Sequence, residues 1–230
     1  MLILSQIKTL RKGANKMSKC IVFDLDGTII DSFPDIYESL NKALSQSGFP
    51  TISFEKFFAI AGYGPRNLIK DSVDGPIEPH KYEDTVALYN DIYTNCGSPK
   101  TVLYDGMLDV LAELRNRGYK LLVRTNKAQK TTDGITDRLL VGKVDLIWGS
   151  IDGRAIKPYA ESVLPMIEMF GGKPEDTFMV GDMKADIDTA NNAGMKFIGC
   201  LWGYGKEEDM RASGATVFAK KPEDLLDLIK

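Results

Sequence analysis

Residues 21–32 read IVFDLDGTIIDS, and the interpretation of the whole chain starts from them. A short apolar run of β-branched and aromatic residues comes first, which is typical of a buried strand. Asp24 and Asp26 follow at once, and a Gly-Thr pair separates them from Asp31. The stretch therefore predicts a strand that brings two carboxylates, two residues apart, to its carboxyl end. In open parallel sheets, that end of the strands is where ligands bind.

The bulk composition narrows the classes of function. The chain has 230 residues, of which 43% are apolar and 27% charged, as is ordinary for a globular protein. This length allows one sizeable core and a smaller appended domain. The formal net charge is −3, whereas phosphate-backbone binding usually needs a basic excess, so no nucleic-acid partner is expected. Small anionic substrates stay open, because a metal ion and a few local cations can hold them.

Cysteine and histidine usage excludes several kinds of site. The three cysteines are far apart and no Cys-x-x-Cys occurs, so neither a disulfide framework nor a zinc site is supported. We therefore expect a reducing, cytoplasmic setting. His80 is the single histidine and lies in a turn-rich segment, which indicates an ordinary surface residue.

Residues 1–19 are interpreted as an N-terminal extension with five basic residues and no acidic one. Its apolar residues precede the charges, an order that does not fit a secretory signal. The run MSKCIVFDLDGT resembles a natural start, so Met17 is the expected initiator rather than Met1. No segment approaches the ~18 apolar residues of a transmembrane helix, and no membrane partner is expected.

Helical periodicity dominates residues 33–100, whereas strand and helix patterns alternate from residue 101 onward. Such alternation is typical of parallel βαβ units. We therefore predict an α/β fold: a doubly wound parallel sheet formed by residues 20–32 and 101–230, with a small all-helical segment inserted at 33–100. Two local predictions go with it. AGYGPRN at 61–67 indicates a Gly-rich turn, and Pro165 should displace or kink the start of its helix.

Polar residues follow three further predicted strands. Thr125 and Asn126 follow one, Lys157 follows the loop after the next, and Asp182 and Asp186 follow a third. Because the carboxyl ends of parallel strands meet at one edge of a sheet, we expect them to converge with the carboxylates of the first strand. Several carboxylates on one rim suit Mg²⁺, which prefers hard oxygen ligands. A carboxylate nucleophile, a second carboxylate as acid and base, a hydroxyl and a lysine together suit phosphoryl transfer.

Four segments carry a family resemblance: DLDGTIIDS (24–32), VRTNK (123–127), KPYAE (157–161) and VGDMKADIDTANNAG (180–194). In this order they resemble the four motifs of the haloacid dehalogenase superfamily of phosphatases. The resemblance covers residues 20–230, and LYDGMLDVLAELRNRG and the C-terminal GCLWGYGKEEDMRASGATVFAKKPEDLLDLI are most similar to the phosphoglycolate phosphatase branch. The resemblance implies a Mg²⁺-dependent hydrolase of a small phosphate ester, with 2-phosphoglycolate as the leading candidate. It also implies an aspartyl-phosphate intermediate.

The resemblance implies roles for individual residues as well. The implied catalytic residues are Asp24 as nucleophile, Asp26 as general acid and base, and Lys157 as the cation that limits charge repulsion. The residues implied to bind the phosphoryl group are Gly27, Thr28, Thr125 and Asn126. The implied metal ligands are Asp24, the backbone carbonyl of Asp26, Asp182 and Asp186, the last either as a ligand or as an orienting residue.

The inserted segment 33–100 is similar to the family's small helical cap, which closes over the site and selects the substrate. Its predicted turn would place Arg66 over the site, where an arginine suits a substrate carboxylate. Lys127 and Tyr63 are weaker candidates for the same task. The competing interpretation of Arg66 is an ordinary exposed turn residue.

Several alternatives stay open at the level of the sequence. A sugar phosphomutase and a pyrophosphatase of the same family share the nucleophile, and a non-catalytic ligand-binding or regulatory protein could share the fold. Thr125 with Asn126 could instead cap the next helix, and Asp186 could cap its own helix. Asp31 is expected to cap the entry into the insertion. Arg124 stands where the family usually has an apolar strand residue. Monomer and homodimer are not distinguished.

Overall fold

A computed structural model describes residues 18–230, so the predictions about Met17 and the N-terminal extension lie outside the described residues, except for the last two of the extension. The strands are β1 (Cys20–Phe23), β2 (Ile30–Asp31), β3 (Val102–Leu103), β4 (Lys120–Ala128), β5 (Leu146–Ser150), β6 (Phe178–Gly181), β7 (Lys196–Cys200) and β8 (Phe218–Ala219). Six of them form one parallel sheet in the order β5-β4-β1-β6-β7-β8. The predicted parallel sheet is confirmed.

Ten α-helices and three 3₁₀ turns accompany the strands of the described residues. The helices are α1 (Phe33–Gln46), α2 (Phe54–Ile60), α3 (Gly64–Ser72), α4 (Pro79–Asn95), α5 (Met107–Asn116), α6 (Gln129–Leu139), α7 (Leu164–Met169), α8 (Lys184–Ala193), α9 (Glu207–Ala212) and α10 (Leu225–Leu228). The 3₁₀ turns are Ala160–Ser162, Pro174–Asp176 and Pro222–Asp224.

The first strand lies at the centre of the sheet, between β4 and β6, and all four of its residues are fully buried. Successive side chains of a strand point to opposite faces. Ile21 and Phe23 accordingly pack into one hydrophobic cluster, while Cys20 and Val22 pack into another. Apolar side chains therefore cover the sheet on both faces, as the doubly wound arrangement requires.

Helices α1 to α4 make up the described structure between β2 and β3. The short strands at its two ends pair antiparallel, with Ile30 opposite Leu103, so the entering and leaving chain segments lie side by side. In α1, Ile36, Leu40 and Leu44 follow a helical period and are buried, which fixes the helix by its apolar face. This segment is called the insertion below.

Three local features differ from the sequence predictions or refine them. The turn predicted at 61–67 is only partly right, because Gly64 begins α3 and Pro65 fits the first helical turn, where a missing N–H costs nothing. Pro165 does displace the helix start, since α7 begins at Leu164. Strand β4 extends to Ala128, and its register against β5 shifts after Arg124. No helix within residues 18–230 combines the length and apolar composition needed to cross a membrane.

Candidate active site

Three buried carboxylates meet at the carboxyl edge of the sheet. Asp24 follows β1 and its N–H donates to Val180 O on β6 across 2.9 Å, which brings it beside the strand end that carries Asp182. Asp24, Asp182 and Asp186 each offer a carboxylate oxygen within 4.8 Å of the other two. The structure therefore brings together three of the predicted metal ligands.

Lys157 supplies a cation inside this cluster. Its Nζ lies 2.7 Å from Asp24 Oδ1 and 2.6 Å from Asp186 Oδ1, and its side chain is only 2% exposed. Burial alone would lower the pKa of Lys157, but the charges and hydrogen bonds of Asp186 and Asp24 outweigh it, and the pKa is raised. The lysine is therefore charged at neutral pH and touches the predicted nucleophile.

Burial and mutual repulsion raise the pKa values of two of these carboxylates. Burial and the neighbouring Asp186 raise the pKa of Asp24 to about 7, although Lys157 acts in the opposite direction. Burial, Asp186 and Asp24 likewise raise the pKa of Asp182 well above its ordinary value. Three carboxylates and one ammonium leave a formal charge of −2 on the cluster. The donor set and this deficit fit a divalent cation with oxygen ligands.

The contacts of each carboxylate separate the predicted metal ligands. Asp186 accepts from Lys157 Nζ at Oδ1 and from Met183 N–H at Oδ2, the latter across 3.1 Å, so both oxygens are engaged. Both oxygens of Asp182 also accept hydrogen bonds, but only from neutral donors, the Thr28 hydroxyl and the Tyr204 N–H. Asp186 instead pairs with the lysine ammonium, which favours the orienting role for Asp186 over direct ligation. The Met183 contact also makes Asp186 a cap of α8. Asp24 and Asp182 are then the side chains that would hold a metal.

Gly27 and Thr28 both pack against the side chain of Asp182. Gly27 has a φ of 78°, and a Cβ there would lie 2.2 Å from Asp182 Oδ2, so only glycine fits. Thr28 Oγ1 donates to Asp182 Oδ1 across 3.3 Å. The N–H groups of these two residues donate within their own turn, to Ile30 O and Leu25 O. They are not free phosphoryl donors, contrary to the sequence expectation.

Asn126 and Thr125 are both predicted to bind the phosphoryl group, but their contacts in the structure differ. Asn126 Nδ2 donates to Lys157 O across 3.0 Å, and Lys157 N–H donates to Asn126 Oδ1 across 2.9 Å. Asn126 thus uses its carbonyl oxygen and one Nδ2 proton on the lysine backbone, and its second Nδ2 proton is left for a molecule in the cavity that Asn126 lines. Thr125 Oγ1 accepts from Lys127 N–H and keeps its own proton for donation toward the cavity. The capping alternative for this pair is wrong, because α6 begins after Ala128.

The side chain of Asp26 is outside the group of three carboxylates and faces a different cation. Its Oδ1 is 3.0 Å from Lys127 Nζ and also accepts from Ser32 Oγ. Lys127 in turn contacts the hydroxyl of Tyr93 and lies 4.3 Å from the centre of its ring. Asp26 is 18% exposed at its side chain, and it lines the cavity described next. The carboxylate of Asp26 is therefore accessible from the cavity.

The insertion closes a small cavity over the carboxylates, with a free volume of about 70 Å³. The core contributes its polar floor: Asp24, Asp26, Thr125, Asn126, Lys127 and Lys157. The insertion contributes a mainly apolar and aromatic roof that includes Phe33, Ile36, Leu68, Tyr89, Asn90 and Tyr93. Two glycines allow the close approach, because a Cβ on Gly62 would lie 2.7 Å from Met183 Sδ and one on Gly64 3.1 Å from Asn126 O.

Arg66 is not brought to the site. It lies on α3, where both terminal nitrogens bond the carboxylate of Glu83 on α4 across 2.7 and 2.9 Å, and its side chain is 53% exposed. The glycines of the predicted turn approach the core, but the helical register after Gly64 turns Arg66 outward. The structure thus gives Arg66 no place in the lining of the cavity, which favours the competing interpretation as an exposed residue.

Sequence reasoning missed Tyr204 and Ser32, and it ranked Lys127 below Arg66, although Lys127 lines the cavity and Arg66 does not. Tyr204 follows β7, and its N–H donates to Asp182 Oδ2 while its hydroxyl donates to Asp31 Oδ1. The strand-end rule that collected the other residues would have found it, had the rule been applied to β7. Asp31 does not cap α1, because Ser32 occupies that position and Asp31 pairs with the tyrosine instead.

Comparison with known proteins now identifies the family. The model of the haloacid dehalogenase-like hydrolases matches residues 21–200. The chain belongs to this family. It is 31% identical over 219 residues to the phosphoglycolate phosphatase of Vibrio parahaemolyticus, covering 92% of this chain and 96% of that protein. It is 32% identical over 212 residues to the phosphoglycolate phosphatase of Aquifex aeolicus, with the same two coverages, 92% and 96%.

A solved structure gives the same result for the fold. The crystal structure of a predicted phosphoglycolate phosphatase from Haemophilus somnus superposes with a TM-score of 0.84 at 25% identity, covering 94% of this chain and all of that one. The resemblance stated from the four motifs is confirmed, and the protein is a hydrolase of the haloacid dehalogenase-like family.

Proposed function

We propose that this hydrolase is a Mg²⁺-dependent phosphatase that cleaves 2-phosphoglycolate through a phosphorylated Asp24. The observation that carries the proposal is the contact of Lys157 Nζ with both Asp24 and Asp186, inside a buried carboxylate cluster at the floor of the cavity under the insertion. The phosphatase names of the curated relatives support the reaction class, and the finer choice of substrate rests on the cavity.

The first half of the reaction transfers the phosphoryl group to the protein. A carboxylate oxygen of Asp24 attacks phosphorus, the bond from phosphorus to the ester oxygen breaks, and Asp26 gives its proton to the departing alkoxide. Lys157 stays beside Asp24 and offsets the repulsion between the carboxylate and the phosphoryl oxygens, while the Thr125 hydroxyl donates to one of these oxygens. A Mg²⁺ ion held by Asp24 and Asp182 would neutralise charge on the phosphoryl oxygens.

The second half restores the protein. Asp26, now a carboxylate, takes a proton from a water molecule that attacks phosphorus, and the bond between phosphorus and Asp24 breaks. Inorganic phosphate leaves and Asp24 is a free carboxylate again. Lys127 holds Asp26 toward the cavity across 3.0 Å during both proton transfers. The two carboxylates at the end of β1 thus divide attack and proton transfer between them.

Substrate choice is assigned to the insertion, which we propose acts as a cap over residues 20–32 and 101–230. The cavity beneath it is small, about 70 Å³, which suits an ester of few carbon atoms. With Arg66 paired to Glu83 outside, the cations that line the cavity are Lys157 and Lys127. Lys157 is engaged by two carboxylates, whereas Lys127 is engaged by one, that of Asp26. Lys127 is therefore the residue we propose for the carboxylate of the substrate.

Phosphate release from 2-phosphoglycolate, from an aryl phosphate and from pyrophosphate tests this function, each with Mg²⁺ and with excess chelator. Fast, metal-dependent release that favours phosphoglycolate supports the proposal. A preference for pyrophosphate would indicate a pyrophosphatase in place of a phosphate-ester hydrolase. No release from any of the three would favour a mutase or a non-catalytic protein. Asp24→Asn should abolish release, whereas Asp188→Asn, on α8 and paired to Lys184, is the matched control.

A cytoplasmic location stays a prediction from the three free cysteines, two of which are buried. A monomer or a homodimer is equally compatible with the proposal, because every proposed catalytic group comes from one chain.

A further inference from the structure

An arginine occupies the interior of the parallel sheet, next to the proposed site. Arg124 lies on β4, is 0% exposed, and is the largest of the fully buried side chains in residues 18–230. Burial and the charge of Arg154 lower its pKa to about 10, with Asp24 acting in the opposite direction. Taking a guanidinium out of water is costly, and an apolar side chain would avoid that cost.

The guanidinium of Arg124 joins several backbone segments. The guanidinium donates to three backbone carbonyls, those of Thr125, Trp148 and Ala155, the last two across 3.1 and 2.8 Å. Its Nε has no partner. The planar fork of an arginine can reach several carbonyls in fixed directions, which a lysine ammonium cannot do in the same way. Arg124 therefore ties together the end of β4, strand β5 and the loop that follows β5.

That loop, residues 151–157, leads directly to Lys157. Its internal backbone bonding is sparse: Arg154 N–H donates to Ile151 O across 3.1 Å. Ala155, held by Arg124, lies two residues before Lys157, and Asn126 holds the N–H and C=O of Lys157 itself. Two nearby side chains of β4 thus fasten the loop at successive points.

We propose that Arg124 is a positioning residue, which fixes the loop at 151–157 so that Lys157 Nζ stays between Asp24 and Asp186. The role goes beyond the proposed function, and only its catalytic readout rests on that function. Lys157 needs this support because it projects from a loop, while the carboxylates it must meet follow the strands β1 and β6. A displacement of about 1 Å at such a contact can cost about a hundredfold in rate.

Hydrogen exchange and kinetics of Arg124→Met and Arg124→Lys test the proposal. The lysine variant keeps a buried charge and carries the test if the methionine variant does not fold. In both, we expect the backbone amides of Arg154 and Lys157 to exchange at least about tenfold faster, while the amides of β1 and β6 keep their rates. We expect kcat to fall about 10- to 100-fold with a smaller change in KM.

Arg117→Met is the matched control, because Arg117 also donates to a backbone carbonyl, Leu226 O, but near the start of β4, away from the catalytic edge. It should leave the exchange of 151–157 and kcat unchanged. The proposal is overturned if the Lys157 amide of Arg124→Lys exchanges at the wild-type rate. It is also overturned if the amide exchange rates rise equally in β1, in β6 and in the loop. Because exchange needs no substrate, a failure of the proposed phosphatase activity would be recognised separately by a wild type that releases no phosphate.

Discussion

The backbone N–H of Tyr204 donates to Asp182 Oδ2 across 2.8 Å, so the loop after β7 holds a proposed metal ligand. The hydroxyl of the same tyrosine accepts from the N–H groups of Ser32 and Phe33 across 2.8 and 3.1 Å and donates to Asp31. Its ring stacks on Phe33 with the centroids 3.3 Å apart. One residue therefore joins the carboxylate cluster to the start of the insertion.

Removing only the hydroxyl tests this connection. Tyr204→Phe keeps the backbone contact to Asp182 and the ring stack, but leaves two buried N–H groups and a carboxylate without their partner. We expect a loss of about 1–3 kcal/mol in the free energy of unfolding and a rise in KM that exceeds the fall in kcat. Denaturant unfolding and steady-state kinetics measure both. Tyr159→Phe, at a residue that is 62% exposed, should change neither quantity. Unchanged stability of Tyr204→Phe would show that the hydrogen bonds of the Tyr204 hydroxyl contribute nothing.

Gly27→Ala should damage the metal site through Asp182. The new Cβ would lie 2.2 Å from Asp182 Oδ2 at a φ of +78°, whereas Gly142 has a φ of +69° and open space around it. Both alanine variants should lose about 1–2 kcal/mol of stability from the left-handed backbone, and Gly27→Ala should lose more because its Cβ meets Asp182. Only Gly27→Ala should weaken the apparent Mg²⁺ affinity, by about 10- to 100-fold. If activity gave the same apparent Mg²⁺ affinity for the two variants, the proposed role of Asp182 as a metal ligand would be contradicted.

Lys127→Met should reduce the preference for a carboxylate in the substrate. We compare kcat/KM for 2-phosphoglycolate with that for 2-hydroxyethyl phosphate, which lacks the carboxylate. The ratio should fall about 10- to 100-fold, the value of a hydrogen bond to a charged group. Arg66→Met is the control and should leave the ratio unchanged, since Arg66 pairs with Glu83 outside the cavity. An equal loss on both substrates would mean that Lys127 acts through Asp26 alone.

The stability of the metal-free protein should fall as the pH rises from about 4 to about 7. Burial raises the pKa of Asp24 from 3.8 to about 7 and also raises that of Asp182, so in this range the folded protein binds more protons than the unfolded chain. The free energy of unfolding then decreases with pH. The proposed Mg²⁺ site uses ionised carboxylates, so Mg²⁺ should raise Tm more at pH 8 than at pH 5. Calorimetry with chelator and with Mg²⁺ checks this, and an equal Mg²⁺ shift at both pH values would contradict it.

The parts of the site that the sequence predicts are those that strand topology fixes. Asp24, Asp182 and Lys157 follow strands of a parallel sheet, or the loop after one, and the alternation of elements after residue 101 sufficed to expect their convergence. The periodicity of apolar residues also predicts the sheet and the helical insertion, since both depend on burial patterns that are local in the sequence.

The parts that the sequence does not predict depend on side-chain direction. The glycines at 61–67 predict a turn, but Gly64 begins the helix that carries Arg66, and a helix rotates successive side chains by about 100°. Asn126 bonds the Lys157 backbone because β4 extends past it, with a register shift that propensity does not reveal. Tyr204 reaches Ser32 across the fold, a contact between residues far apart in the chain.

The most direct test of the central claim is to look for the phosphate on Asp24. The protein is mixed with 2-phosphoglycolate and Mg²⁺, quenched within one turnover and reduced with borohydride, which converts a phosphorylated aspartate to homoserine. Peptide mass spectrometry then reads position 24. The account predicts homoserine at position 24 and nowhere else, and its absence from Asp24→Asn. Turnover with unmodified Asp24 in every quenched sample, or homoserine at Asp26, would contradict it.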